Sequence, residues 1–182
     1  MIPAFTHRAP RSSFNLSAEH GIYAHFLKPG IEVPMLEPGI NGIIYVGRTQ
    51  GQTGFRGRDH FAIPFPSSTV RQSLAALLAE QLEITILPHR RSWTIDGRSD
   101  ARLRSWMHDH LLLAIEPYAD APLHEQRAIW AYRPPLNLKD CPLTPAHERL
   151  SALRRSLTVA CRTSTARSQA SAGTAIRNNF DC

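Results

Sequence analysis

Glu125 is a candidate ligand for a metal ion. It belongs to a segment of helical spacing and shares one helix face with the residues that would pack inward, which are Ala121, Ala128, Ile129 and Tyr132. A carboxylate on an inward face costs free energy unless it is paired or bound to a cation. Mg²⁺ takes oxygen ligands and is often held by one or two carboxylates with substrate phosphate. Glu125 is therefore a candidate ligand for Mg²⁺ or Mn²⁺, although on spacing alone the better interpretation is a helix-start glutamate favoured by the helix dipole.

Arg56 and His60 are four residues apart, so they share a face if this segment is helical. An arginine offers a fork of N–H donors that fits phosphate, and histidine is the side chain whose free pKa lies nearest neutrality. Arg56 is therefore a candidate contact for a phosphate, and His60 is a candidate for transferring a proton. The alternative is a solvated basic turn, which is our interpretation of the neighbouring Arg58.

Tyr23 and Tyr45 lie in two apolar segments, and their hydroxyls could orient an attacking water. An unperturbed phenol has a pKa of about 10, so a role as base requires a metal or a neighbour that lowers it. The alternative is that the two rings simply pack across neighbouring strands. Arg48 follows the second segment and is a candidate phosphate contact. Asn137 follows two prolines, and one interpretation is that it merely anchors a turn.

The two tyrosine segments predict strands, since residues 21–27 alternate in polarity and residues 42–47 are β-branched and aromatic. No helical pattern separates them, so they should pair antiparallel. Residues 111–115 predict a third, central strand, and residues 83–87 are a candidate fourth strand.

Five segments have helical spacing. They are residues 53–62, the segment after Ser67-Ser68, the segment from Ser99, the segment from Asp120 to Arg133, and the segment from Thr144-Pro145 with Leu150, Leu153 and Leu157 on its apolar face. The elements together predict an α/β (α+β) fold, with a small, mainly antiparallel sheet of three or four strands flanked by helices.

The tripeptides Gly21-Ile22-Tyr23 and Tyr45-Val46-Gly47 resemble the paired signatures of the GIY-YIG endonuclease superfamily, with Val46 for the usual isoleucine. The family has an arginine, then a histidine or tyrosine one turn later, a glutamate on a later helix and an asparagine after that helix. The residues at these positions are Arg56, His60, Glu125 and Asn137. The resemblance covers about residues 20 to 140, and it implies that Tyr23 helps to activate water and that Asn137 braces the site.

On this interpretation the chain has four parts. Residues 1–15 are a flexible lead-in, and residues 16–143 are a GIY-YIG-like nuclease domain. Residues 144–161 form an amphipathic helix that packs on or extends the domain, and residues 162–182 are a disordered basic tail.

The charge of the chain points to a polyanionic partner. The net charge is +6, and the excess lies in residues 126–182, which hold 9 basic against 3 acidic residues. Four arginines there, Arg149, Arg154, Arg155 and Arg162, would add affinity for a DNA backbone. The alternative is a solvated helix face.

The sequence argues against a membrane-spanning protein, an exported protein and a disulfide-stabilised scaffold. The longest apolar run, residues 111–115, is too short to cross a membrane, and the opening residues have no apolar stretch of signal-peptide length. Three cysteines, Cys141, Cys161 and Cys182, are too few and too scattered for a disulfide scaffold. We therefore expect a cytoplasmic protein.

The leading hypothesis is a DNA endonuclease that hydrolyses phosphodiester bonds with one divalent ion. A non-catalytic nucleic-acid-binding protein with the same fold is the main alternative, and an interaction module that uses its tail is the third.

Overall fold

The structure, a computed structural model, describes residues 2–14, 21–49, 60–90, 92–139, 141–142 and 144–177, with side chains as far as residue 163. The strands are β1 (Gly21–Leu27), β2 (Ile43–Thr49), β3 (Ile86–His89), β4 (Ser92–Ile95) and β5 (Leu111–Glu116). The helices are α1 (Thr69–Leu77), α2 (Gly97–His110), α3 (Ala121–Tyr132) and α4 (Pro145–Arg177). The predicted α+β class is confirmed.

The main sheet has three antiparallel strands in the order β2-β1-β5. The predicted antiparallel pairing of β1 with β2 is confirmed, and its register sets Tyr23 opposite Gly47 and His25 opposite Tyr45. The central strand is β1, so the prediction that residues 111–115 form the central strand is wrong. A continuous apolar run indicates burial on both faces, and it carries no information on the order of strands.

The candidate fourth strand belongs to a separate hairpin. It lies at Ile86–His89, three residues later than predicted, and pairs with β4, which the sequence patterns missed. Each of these strands has only four residues, and β3 contains Pro88. Short strands with a proline carry a weak alternating pattern, which accounts for the error.

Side-chain caps fix where the helices begin. Ser68 Oγ accepts a hydrogen bond from the backbone N–H of Arg71 at the start of α1, and Asp120 caps α3. Asp96 caps α2, so that helix begins at Gly97, two residues before the predicted start at Ser99. The predictions for α1 and α3 are confirmed.

The two faces of β1 contact different parts of the molecule. Ile22, Ala24 and Phe26 belong to a core cluster with the buried face of α3. Because side chains alternate along a strand, Tyr23 and His25 point to the other face, where they meet the turn at residues 60–61. This turn lies inside the predicted helix 53–62, whose residues 53–59, Arg56 included, lie outside the described residues.

Residues 2–14, predicted as a flexible lead-in, pack against the sheet. The Phe5 side chain is completely buried between the sheet and α3, in contact with Phe26 and Tyr132. The backbone of Ala9 makes two hydrogen bonds, of 3.0 and 2.9 Å, with Leu113 of β5. The contacts with Tyr132 and Leu113 join residues more than a hundred positions apart, so local composition could not reveal them.

Helix α4 packs its predicted apolar face, which includes Leu150, against α1 and the β3–β4 hairpin. It continues to Arg177, beyond Cys161, where the sequence predicted the change to a disordered tail. Residues 162–177 contain no proline, so the helix can continue through them. None of the helices in the described part of the chain is apolar enough over a sufficient length to cross a membrane.

Candidate active site

A cleft of about 550 Å³ lies beside the edge strand β2. Strand β2, the start of α1, one face of α3 and the loop after α3 all contribute to its wall. The polar lining residues are Tyr45, Arg48, Thr69, Glu125, Gln126, Asn137 and Lys139. Four of the residues predicted from the sequence to form a site, namely Tyr45, Arg48, Glu125 and Asn137, therefore line one cavity.

Glu125 and Arg48 form an ion pair across the cleft wall. Arg48 Nε lies 3.2 Å from Glu125 Oε2, and the two side chains are 39% and 23% exposed. The inward helix face predicted for Glu125 thus places its carboxylate at the cleft rather than in the core. At this exposure the attraction between the two groups is screened by water, so both groups remain accessible to an anionic ligand or a cation.

The donor set fits a hard divalent cation. The described residues contain no group of three or more His, Cys, Asp or Glu side chains that could hold a metal by themselves. Glu125 offers one carboxylate at an open cleft, which is compatible with an ion that keeps most of its waters and binds substrate phosphate. It is not compatible with a structural zinc site, which needs four protein ligands.

Asn137 fixes the loop after α3 to the edge of the sheet. Its Oδ1 accepts a hydrogen bond from the Val46 N–H and its Nδ2 donates to the Val46 carbonyl, both at 2.8 Å. The backbone N–H of Leu136 also donates to the Ile44 carbonyl at 3.0 Å. The Asn137 amide therefore makes the pair of backbone hydrogen bonds to Val46 that a neighbouring strand would make. These bonds fix this side of the cleft relative to Tyr45.

A chain of hydrogen bonds runs behind the cleft through Tyr23, His60 and Ser68. The Tyr23 hydroxyl lies 3.0 Å from His60 Nε2, and His60 Nδ1 lies 2.9 Å from Ser68 Oγ. Tyr23 is 1% exposed and His60 is 6% exposed. Both ring nitrogens of this histidine are therefore engaged, and the helix cap of α1 holds its orientation.

Tyr45 connects the buried chain with the cleft. Its ring centre lies 4.9 Å from that of His60, nearly perpendicular to it, and 6.1 Å from that of Tyr23. Tyr45 also lines the cleft with Glu125. The two tyrosines predicted to act together are thus adjacent, but one faces the cavity and the other lies beneath it.

The glycine of the second signature is required by the tyrosine of the first. A Cβ added to Gly47 would lie 2.5 Å from the hydroxyl oxygen of Tyr23 and 2.5 Å from its ring. Gly21 is constrained in a similar way, since its φ is +141° and a Cβ would lie 2.1 Å from the Glu116 carbonyl oxygen. The absence of a side chain at Gly47 therefore lets the Tyr23 hydroxyl reach His60.

His25 lies next to this cluster with its imidazole completely buried. Its ring contacts Tyr23, Tyr45 and His60, and neither ring nitrogen has a hydrogen-bond partner in the described ranges. Burial, with a smaller contribution from the positive charge of Arg11, lowers the pKa of His25 to about 3. The imidazole is therefore neutral at physiological pH.

Of the predicted site residues, Arg56 lies outside the described residues, and the other six form one contiguous cluster around β2. Three residues of this cluster were not predicted as site residues: Ser68 as the partner of His60, His25 as its neighbour, and Lys139 in the cleft. The sequence predicts Ser68 as a helix cap. Its hydrogen bond with His60 could not be predicted, because no local pattern reveals the position of that turn residue.

Comparison with protein families gives one result. The chain matches the family model described as GIY-YIG catalytic domain over residues 21–156, which is three quarters of its length. No curated protein and no solved structure was found to match it significantly.

Proposed function

Since the chain belongs to the GIY-YIG catalytic domain family, we propose that it is an endonuclease that hydrolyses phosphodiester bonds of DNA with one divalent ion, Mg²⁺ or Mn²⁺. Membership of a nuclease family implies a nucleic-acid substrate in general. The observation that carries the more specific proposal is the cleft where Tyr45, Arg48, Glu125 and Asn137 meet.

Glu125 would hold the metal ion, and Arg48 would provide an additional phosphate contact in the cleft. A divalent ion at this carboxylate supplies Lewis-acid stabilisation of the charge that builds up on the phosphate. The ion pair with Glu125 involves Arg48 Nε, and a guanidinium has five N–H donors, so the same side chain can also donate to a phosphate oxygen. Arg56 is proposed to bind the phosphate that is cut.

Tyr45 and the Tyr23–His60–Ser68 chain would handle the attacking water. Tyr45 orients it from the cleft wall, and the proton that the water loses passes to the oxygen of Tyr23. With Nδ1 protonated toward Ser68, His60 accepts at Nε2 the proton of the Tyr23 hydroxyl. The water oxygen then bonds to phosphorus, the bond from phosphorus to the leaving oxygen breaks, and the leaving oxygen gains a proton from solvent. Asn137 holds the cleft wall against β2.

Plasmid cleavage tests this proposal. The parent protein should nick supercoiled plasmid with Mg²⁺ or Mn²⁺ and stop on addition of a chelator. Glu125→Ala should lower the rate at least about 100-fold, the usual effect of removing one group that stabilises transition-state charge. Glu80→Gln removes an exposed carboxylate outside the cleft and should cut like the parent. Equal cleavage by the parent and Glu125→Ala would refute the assignment of the metal ligand.

The same assay separates enzyme from binding protein. Salt-sensitive binding of DNA without cleavage under any divalent ion would identify a non-catalytic nucleic-acid-binding protein. Parallel assays on single-stranded, double-stranded and branched DNA and on RNA would then define the substrate.

A further inference from the structure

A second depression, of about 280 Å³, adjoins the cleft. Leu138 lines both cavities, so the two share a wall. Helix α1 runs along both as well, with Thr69 in the cleft and Gln72, one turn later on the same face, in the second depression. The two cavities therefore adjoin each other between Glu125 and helix α4, and together they are called the groove.

The described lining of the second depression is basic and rich in hydroxyl groups, and it contains no carboxylate. Its residues are Gln72, Ser92, Trp93, Leu138, Ser151, Arg154, Arg155 and Thr158. The four from α4 follow helical spacing and share one face of that helix. From Ser151 to Thr158 this face is about 10 Å long, which is the rise of about three base pairs of B-DNA.

Arg154 is held in place without loss of its charge. Its Nη1 donates to Ser73 Oγ at 3.4 Å, and its Nη2 contacts Gln72 Oε1. Both partners are neutral, and in the ranges that the structure describes no carboxylate pairs with this guanidinium. Burial lowers the pKa of Arg154 from its ordinary value, but the side chain stays charged at neutral pH. A fixed cation without a counter-ion favours an anionic ligand.

Lys139 provides a further cation in the cleft part of the groove. It is exposed, lines the cleft, and follows Leu138 directly in the chain. Arg48 stands at the cleft end and Arg155 at the α4 end. Positive charge therefore extends along the groove, and the acidic side chain in its described lining is the proposed metal ligand, Glu125.

We propose that the second depression, through Arg154 and Arg155, and Lys139 in the adjoining cleft bind backbone phosphates of the DNA strand that is cut, on one side of the scissile phosphate. This inference rests on the proposed function, and it adds the direction in which the strand leaves the cleft. Contacts to phosphate carry no sequence information, so the groove sets the register of the strand without selecting bases.

The salt dependence of binding tests the groove. Duplex DNA is titrated with the parent and with the double variant Lys139→Gln/Arg155→Gln in chelator, between about 50 and about 200 mM salt. Each phosphate contact contributes about 0.9 to the slope of log K against log salt, so the slope should decrease in magnitude by about 1.8. Arg98→Gln, an exposed arginine of α2 outside the groove, should bind like the parent. Arg155→Lys should retain its contact.

The outcomes distinguish the groove from the nuclease itself. If the parent cleaves DNA but the double variant keeps the parental slope, the groove assignment is overturned and the proposed function stands. A loss of about 0.9 in the slope of Arg98→Gln, half that of the double variant, would also overturn it, since the effect would then be one of net charge. If the parent neither binds nor cuts DNA, the proposed function fails and the groove fails with it. Circular dichroism of each variant confirms that it is folded.

Discussion

Lowering the pH from about 8 to about 5 should destabilise the folded protein through His25. The unfolded chain binds a proton at this imidazole with its ordinary pKa of 6.5, whereas in the folded protein the pKa is about 3. Between these values the unfolded state binds more protons, so stability is present above 6.5 and is lost as the pH falls toward 3. At pH 5 the loss through this one group is about 2 kcal/mol.

The surroundings of His25 explain why the folded state does not accept the proton. Tyr23 and Tyr45 contact the ring from β1 and β2, and His60 and Phe61 contact it from the turn at residues 60–61. These neighbours include no anion, and Arg11 adds a positive charge nearby. A protonated imidazole would therefore be buried without a counter-charge or an acceptor.

Urea unfolding at several pH values measures the effect. His25→Phe keeps a ring in an aromatic environment and removes the titrating group. From pH 8 to pH 5 its stability relative to the parent should rise by about 2 kcal/mol, or about 4–8 °C in Tm for a chain of this size. His7→Phe, at an exposed position, should follow the parent. A difference between parent and His25→Phe that stays constant over this range would refute the reasoning.

Three further substitutions test the contacts around the site. Gly47→Ala should move the Tyr23 ring, because a Cβ there overlaps it, and should lower the cleavage rate at least tenfold, about 1.4 kcal/mol, at unchanged DNA affinity. Asn137→Asp keeps an acceptor for the Val46 N–H but loses the donor to its carbonyl, and should cost about 2–4 kcal/mol in urea unfolding. Asp100 forms an ion pair with the buried side chain of Arg71 in α1. Asp100→Ala leaves this guanidinium without a carboxylate and should lower the free energy of unfolding by about 3–5 kcal/mol in the same assay.

Features encoded by neighbouring residues could be predicted from the sequence. Helices α1 and α3 begin at side chains that cap their first turn, Ser68 and Asp120. Strands β1 and β2 follow from alternation and from β-branched content, and their antiparallel pairing follows from the lack of a helix between them. The predicted grouping of Glu125 with Tyr45 depended on the family resemblance, since nothing local links residues so far apart.

Features that depend on distant contacts could not be predicted. The position of β1 at the centre of the sheet depends on which strands pair with it. The burial of Phe5 depends on α3, and the orientation of His60 depends on a helix cap eight residues later. His25 looked like an ordinary polar position of an alternating strand, and its burial arises because the turn at residues 60–61 covers that face.

Both borders of the three-stranded sheet are covered in part by other segments of the chain, and this bears on self-association. On one side an amide and a loop N–H occupy hydrogen-bonding positions of β2, and on the other side Ala9 bridges to β5. Exposed strand borders recruit further strands and promote aggregation. Removal of the first ten residues would expose the β5 border and the apolar pocket filled by Phe5. We therefore expect the shortened protein to form oligomers by strand pairing under conditions in which the parent protein does not.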